Sequence, residues 1–507
     1  MFPFDATIVT LVVIGTCAAL LAQADGENTK RKSSETIAER TKVSDRDSSS
    51  VDWPEHHYPL VPSHYTPHRM RPISCSQPPC VLPNVQISVG PKPVSETPVT
   101  SNPLNPLQML ARANDENCGS LEEGGVYSSD DGGTTWRRGC LNVPQGALGG
   151  GDPGVAYDLM GNAYATGILY YDDLNQVWIQ KSSDNGQTWS QAQLAVPALL
   201  GFLADKDWLE VDTNPQSPFA NTLYISVTQV SDTNFFQTSV SHSNDGGNTW
   251  TTVTLDRIQA GGRANPDELT DMAIAPDGTV YLVWLRCNLP ELFGSCGGKT
   301  LDYVLSQSTD GVNIFTEPRV IFKVNLAPNN NFCCFWGALP NTRVQVVDVP
   351  AFGIDTSNGP HRGNLYLAYY NWTGTFMRVF VATSSDHGAT WTSVPVAPDT
   401  QTHDQFFPWL SVSPSGSVGV SWLDRRNDPN NLSYEAFAAL SHDGAASFGK
   451  NVTLSEQPSD PSNDGFGGRF IGDYTGNTWA GDNFFYATYT DTSTGVDQDF
   501  LVGVRLR

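Results

Sequence analysis

The chain has 507 residues, and its 53 Asp and Glu outnumber its 29 Lys and Arg, for a formal charge of −24. That balance argues against nucleic acid or an anionic membrane surface as a partner. Abundant Gly (45), Pro (34), Tyr (17) and Trp (13) beside only six Met fit a large extracellular β protein, and no second long apolar run follows the first to predict a transmembrane span.

Residues 1–24 read as a secretory signal: an apolar stretch from Ile8 to Leu21 is followed by Ala22-Gln23-Ala24 as a small-residue cleavage site. The segment departs from that pattern in carrying Asp5 and no basic side chain. Residues 25–83 read as an N-terminal extension, with a Ser-, Lys-, Glu- and Arg-rich part without aromatics to Val51 that predicts disorder, then a Pro-, His- and Tyr-rich part. His56, His57, His64 and His68 fit no metal-ligand spacing. Removal of the signal takes Cys17 with it and leaves eight cysteines for an oxidising compartment. Proximity favours Cys75–Cys80, Cys118–Cys140 and Cys287–Cys296, with Cys333 and Cys334 adjacent, although eight cysteines allow 105 connectivities. The expectation is a secreted monomer.

From residue 84 onward the chain repeats. An octapeptide Ser-x-Asp-x-Gly-x-Thr-Trp begins at Ser129, Ser182, Ser243 and Ser384, with worn copies at Ser308 and Ser441. The starts fall 53 to 76 residues apart, a recurrence that signals a propeller or array. Asp and Ser tie down the amides of a tight turn, Gly supplies a backbone conformation other residues resist, and Trp plugs between sheets. Each octapeptide is therefore expected to join the third and fourth strands of a blade, as a turn staple and not as a catalyst. Strand-like runs flank each box, and one further pair lies upstream around Glu96 to Ala113. Asp499 to Val504 reads as a third strand lacking a box, and Asn84 to Ser88 as an outer strand able to pair with it. The prediction is an all-β propeller of seven four-stranded blades over residues 84–507, with six blades as the alternative.

The octapeptide resembles the Asp box, or bacterial neuraminidase repeat, of sialidases and other propeller proteins. The resemblance covers about residues 84 to 507. It implies a glycan substrate and a glycosidase, with binding residues on the face opposite the boxes. Sialidases bring three arginines onto the sialic carboxylate, the first from an Arg-Ile/Leu-Pro motif ahead of the first box. Here Arg112, in Ala111-Arg112-Ala113, is the only candidate, and no Pro follows it. The family nucleophile is a Tyr paired with a Glu; Tyr474 beside Asp473 is the stand-in this resemblance implies. Gln405-Phe406-Phe407-Pro408-Trp409, Trp422-Leu423-Asp424-Arg425-Arg426 and Phe470-Ile471-Gly472-Asp473-Tyr474 resemble a broad group of secreted sialidase-like repeat proteins.

Loops on the face opposite the boxes join blade to blade and second strand to third. They carry Asp152, Asp205-Lys206-Asp207, Asp267-Glu268, Asp404, Arg469 and Asp473-Tyr474, then Arg286, Trp372 and Asp424-Arg425-Arg426. A long insertion from Asn325 to Asn341 adds Trp336 as a lid or aromatic platform. Paired carboxylates serve as acid and base or nucleophile, guanidiniums hold carboxylates bidentately, and aromatic faces stack on sugars. The candidate catalytic residues are therefore Asp205, Asp207, Asp404, Asp473 and Tyr474. The candidate substrate-binding residues are Lys206, Arg286, Trp336, Trp372, Arg425, Arg426 and Arg469. Capping and inter-blade ion pairing are the plainer reading of any one of them. No cofactor or metal site is expected, although the Asn- and Asp-rich loop 427–431 offers hard oxygen ligands compatible with structural calcium. Two function classes follow: a secreted glycoside hydrolase (exo-sialidase-like or directed at acidic polysaccharide), favoured slightly, and a non-catalytic propeller that binds glycans or proteins. Sequons at Asn371, Asn431 and Asn451 are compatible with N-glycosylation in a eukaryotic host.

Overall fold

The computed structural model describes residues 61–62, 78–118, 124–171, 174–198, 202–231, 236–255, 267–287, 300–328, 336–398 and 400–506. The signal segment, the four extension histidines, Cys75, Cys296 and the Cys333–Cys334 pair lie outside them. Every regular element among the described residues is a β-strand. No helix there is long and apolar enough to cross a membrane.

The strands form seven antiparallel blades, numbered I to VII here in chain order. Their first strands are Val99–Asn102, Gly149–Tyr157, Phe202–Val211, Asp267–Ile274, Ala351–Ile354, Gln405–Val412 and Gly476–Ala480. Each first strand packs against the next, and that of blade VII returns to that of blade I, so these strands line a closed central ring. Blade VII has only three strands of its own. Cys80–Val81 and Val85–Gln86 supply its outer edge by pairing with Gln498–Arg505, with Cys80 opposite Arg505 and Val85 opposite Leu501. This pairing of one chain end with the other closes the ring and covers a sheet edge. Seven blades, not six, is the observed count.

Apolar side chains alternate along the strands and fill the spaces between blades, the largest cluster running from blade III to blade VII. Cys118 and Cys140 are disulfide-bonded, as proximity suggested. Cys80 and Cys287 are also half-cystines, with partners outside the described residues.

The six octapeptides occupy the third-to-fourth-strand turns of blades I to VI. In blade I the Ser129 hydroxyl donates to Asp131 (2.8 Å) and accepts from the Gly133 amide (2.9 Å). Asp131 in turn accepts from the Thr135 amide and hydroxyl, and the Trp136 indole donates to the Gly133 carbonyl at 3.0 Å. The Ser–Asp–Gly pattern recurs at Ser182, Ser243 and Ser384, and at the worn copies Ser308 and Ser441 a Val or Ala amide replaces Gly. The Thr390 hydroxyl and amide and the Ser384 hydroxyl hold the Asp386 carboxyl down at about 2. These acids are turn staples.

Candidate functional site

A bulge on the channel-lining strand decides where the functional side chains go. Register slips between Asp205 and Trp208 in blade III, Glu268 and Asp271 in blade IV, and Phe406 and Trp409 in blade VI. At each slip one residue takes a left-handed backbone: Lys206 (φ 46°), Leu269 (60°) and Phe407 (47°). Asp152 (51°) does so in blade II, Glu96 (60°) just ahead of blade I, and Gly472 (83°) just ahead of blade VII. A bulge bends the strand and re-aims its side chains. Six blades thereby deliver acids, one lysine and aromatic rings to the centre of the ring.

The chemistry concentrates there. The Lys206 amide donates to Asp152 Oδ2 (2.9 Å) and to Asp205 Oδ1 (3.0 Å), so two carboxyls from adjacent blades converge on a single N–H. Glu96 Oε1 accepts from the Asp473 amide at 3.1 Å, and its Oε2 from Asn114 at 2.7 Å. Gln345 Nε2 reaches Asp473 Oδ1 at 3.4 Å. Lys206 Nζ lies 4.1 Å from the ring centroids of both Trp208 and Tyr474, a double cation–π contact. Trp409 completes the cage, 4.8 Å from Trp208 and 5.8 Å from Tyr474. Trp208, Asp205 and Asp473 keep 8%, 7% and 6% exposure, whereas Asp207 and Glu268 have none.

So much carboxyl in so little water shifts the titrations. Burial pushes Glu96, Asp205 and Glu268 well above the ordinary range, and neighbouring carboxylates push them further. Burial, then the Asp152 charge, raises Asp473 to about 7 and Asp207 to about 8. Asp152 is raised less: burial drives it up, and the Lys206 ammonium and amide pull it back. Burial lowers Lys206 despite the acids around it. The Tyr474 phenol is driven well above its usual value by burial and then by Glu96, Asp152, Asp207 and Asp473. It stays neutral, with its hydroxyl 3.4 Å from the Pro153 carbonyl.

Of the candidate catalytic and substrate-binding residues, Asp205, Lys206, Asp207, Asp473 and Tyr474 come together in this cluster, beside Asp152 and Glu268. The others do not. Asp404 is a clamp between blades V and VI: it accepts from the Met377 amide (2.9 Å) and from Asn431, and faces Arg425 at 3.5 Å with both side chains fully buried. Arg425 also donates to the Pro340 carbonyl (2.7 Å), which ties the long insertion to blade VI. Arg286 pairs with Asp267 directly across its own blade at 2.6 Å. Arg426 pairs with Asp424 and lies 4.3 Å over the Phe437 ring. Arg469 is exposed, and its backbone is held by Asp464 and Gln345. Trp372 is half-buried against the core. Trp336 opens a short hairpin and sits 5% exposed inside the core, so it is no solvent-facing platform. That hairpin's second strand, Gln345–Val347, brings Gln345 over Asp473.

Reading the sequence underweighted Asp152, Glu96, Glu268, Trp208, Trp409 and Gln345. Their signal was positional: five of them lie within two residues of a bulge, at the same point of successive first strands. No group of three His, Cys, Asp or Glu with metal-holding geometry occurs among the described residues.

No protein-family model matches this chain, and no curated protein does. Solved structures similar to it include a Hadza microbial sialidase, at 13% identity over 78% of this chain and 73% of that one, with a TM-score of 0.44. A GH93 α-L-arabinofuranosidase of Fusarium graminearum has 11% identity over 84% and 98%, with a TM-score of 0.45. A Dyadobacter fermentans protein of unknown function has 12% identity over 84% and 99%, with a TM-score of 0.44.

Proposed function

We propose that this propeller hydrolyses glycosidic bonds of a neutral glycan at the centre of its ring. The observation that carries the reading is the convergence of Asp152 and Asp205 on the Lys206 amide, with Asp473 close by and the Lys206 ammonium against the Trp208, Trp409 and Tyr474 cage. Two carboxyls whose surroundings push their titrations apart are what glycoside cleavage needs. Asp473, protonated to about pH 7 by burial and by the Asp152 charge, is the general acid to the leaving oxygen. Asp152, kept more acidic by Lys206, is the carboxylate that attacks the anomeric carbon or activates water. Asp205 and Glu268 share its proton traffic from behind. Aromatic faces stack on the sugar. Tyr474 acts as a neutral wall, because a phenolate there would face four carboxyls.

The partners of the arginines decide the substrate class. The arginines suited to a sugar carboxylate are engaged elsewhere, Arg286 with Asp267, Arg425 with Asp404 and Arg426 with Asp424. An acidic sugar would find none of these three to clamp its carboxylate.

The test is turnover of a panel of neutral pyranosides, furanosides and sialosides by the wild type and by Asp473→Asn. The expected result is cleavage of a neutral glycoside, reduced about 10²–10⁴-fold in the variant, with an alkaline limb near pH 7. Sialoside turnover indifferent to Asp473→Asn would overturn the proposal. Near-complete burial of the acids favours a second reading, a sugar-binding propeller, which would give saturable binding without turnover.

A further inference from the structure

The chain contains three Asn-x-Ser/Thr sequons, and the fold asks something different of each asparagine. Asn431 is committed on both sides of its amide: Nδ2 donates to the Asp404 carboxylate and Oδ1 accepts from the Asp404 backbone at 3.1 Å. Asp404 is fully buried and paired with Arg425, so a sugar on Asn431 Nδ2 would have to enter that ion pair. Asn451 is committed as well. Its Nδ2 donates to the Val396 carbonyl (3.1 Å) and its Oδ1 accepts from Arg426 (3.0 Å), which ties the outer strand of blade VI to blade V.

Asn371 differs. Its Oδ1 accepts from the Asn325 amide at 2.8 Å, and its Nδ2 makes no hydrogen bond to the described residues. It stands at the end of the second strand of blade V, Leu365–Trp372, beside the exposed turn residues Thr373, Gly374 and Thr375. A Cβ built on Gly374 would meet nothing within 4 Å. The space is open.

We infer that Asn371 is the modification site among the three sequons. In a eukaryotic secretory compartment it accepts an N-glycan, while Asn431 and Asn451 remain bare in the folded protein. The donor is a polyprenyl-diphosphate-linked oligosaccharide. The Nδ2–C1 bond forms, the bond from C1 to the diphosphate oxygen breaks, and one Nδ2 proton leaves. In the folded product the amide oxygen of Asn371 can still accept from Asn325, so the fold is not disturbed. The same reaction at Asn431 puts a bulky substituent where Asp404 must sit. The glycan would project from the face that carries the second-to-third-strand loops, at the rim of blade V.

The full chain, secreted from a eukaryotic host behind a heterologous leader and recovered as a folded species by size exclusion, tests this. Intact mass is measured before and after peptide N-glycosidase treatment, with peptide mapping of the resulting Asn-to-Asp conversions. One glycan is expected, at residue 371, and absent from Asn371→Gln. Asn451→Gln keeps the glycan and melts lower, because it alters the tie between blades V and VI. A glycan on residue 431 or 451 of folded protein, or a bare Asn371, would overturn the assignment.

Discussion

Asp207 offers the sharpest test of the site's electrostatics. Its side chain is fully buried beside Asp152, Lys206, Arg112 and Thr166, and its titration is pushed up to about 8. Between an unfolded carboxyl near 3.9 and that value, the folded chain holds a proton the unfolded chain has released. Stability is therefore full below about pH 4 and is lost as pH rises, at about 1.4 kcal/mol per pH unit. The loss reaches about 3 kcal/mol at pH 6 and about 5 kcal/mol at pH 8. Asp207→Asn keeps the shape and removes the proton. Urea unfolding followed by Trp fluorescence should find the two proteins alike at pH 4, and the variant increasingly the more stable at pH 6 and pH 8. A difference independent of pH, or a variant that weakens as pH rises, would mean that Asp207 is ionised and compensated. The account of the whole acidic cluster would then fail.

Two further predictions concern the scaffold. Trp136 is 3% exposed, whereas Trp250 is only partly buried, so Trp136→Ala should cost about 3–5 kcal/mol in urea unfolding and Trp250→Ala clearly less. A Cβ on Gly476 would stand 2.4 Å from the Thr97 carbonyl oxygen and 3.0 Å from Pro98 Cα, at the seam between blades VII and I. Gly476→Ala should cost about 1–3 kcal/mol, while Gly139→Ala, whose nearest neighbour is the Val126 side chain at 3.5 Å, should be close to neutral by the same assay.

The scaffold was legible because its signal is local. The hydrogen bonds of each octapeptide span four residues or fewer, as from Ser129 to Gly133, so four intact and two worn copies announce six turns and a blade spacing. Even ring closure could be read, since Asn84 to Ser88 had strand character and no partner nearby. The site was only half legible because its signal is a register. Asp152, Lys206 and Leu269 share nothing in side chain; what they share is a bulge at one point of successive first strands. Arginines drew attention by charge, yet Arg286, Arg425 and Arg426 each have an acid within reach. In a chain with so many acids, a guanidinium at a strand end finds a structural partner more readily than a substrate. The insertion misled for another reason: Trp336 is aromatic and follows a loop, but the short hairpin it opens turns it into the core.

The bulges also bear on why the site exists. A left-handed backbone costs a residue with a side chain roughly 1–2 kcal/mol that glycine does not incur. Blade VII places Gly472 at this point, yet Glu96, Asp152, Lys206, Leu269 and Phe407 occupy it elsewhere. Structure alone does not call for that choice, since glycine would relax each bulge. Strain of this kind, held by the surrounding fold, clusters where a side chain has work to do. Lys206 tests the idea, because its substitution separates backbone from side chain. Lys206→Gly relieves the φ of 46° but removes the ammonium that lies against Trp208 and Tyr474 and steadies Asp152. Lys206→Met removes the ammonium and keeps the strain. If the strain is held for the ammonium, both variants lose glycan turnover or binding alike. If both retain full function, Lys206 is part of the wall and the bulges serve only to turn the strand.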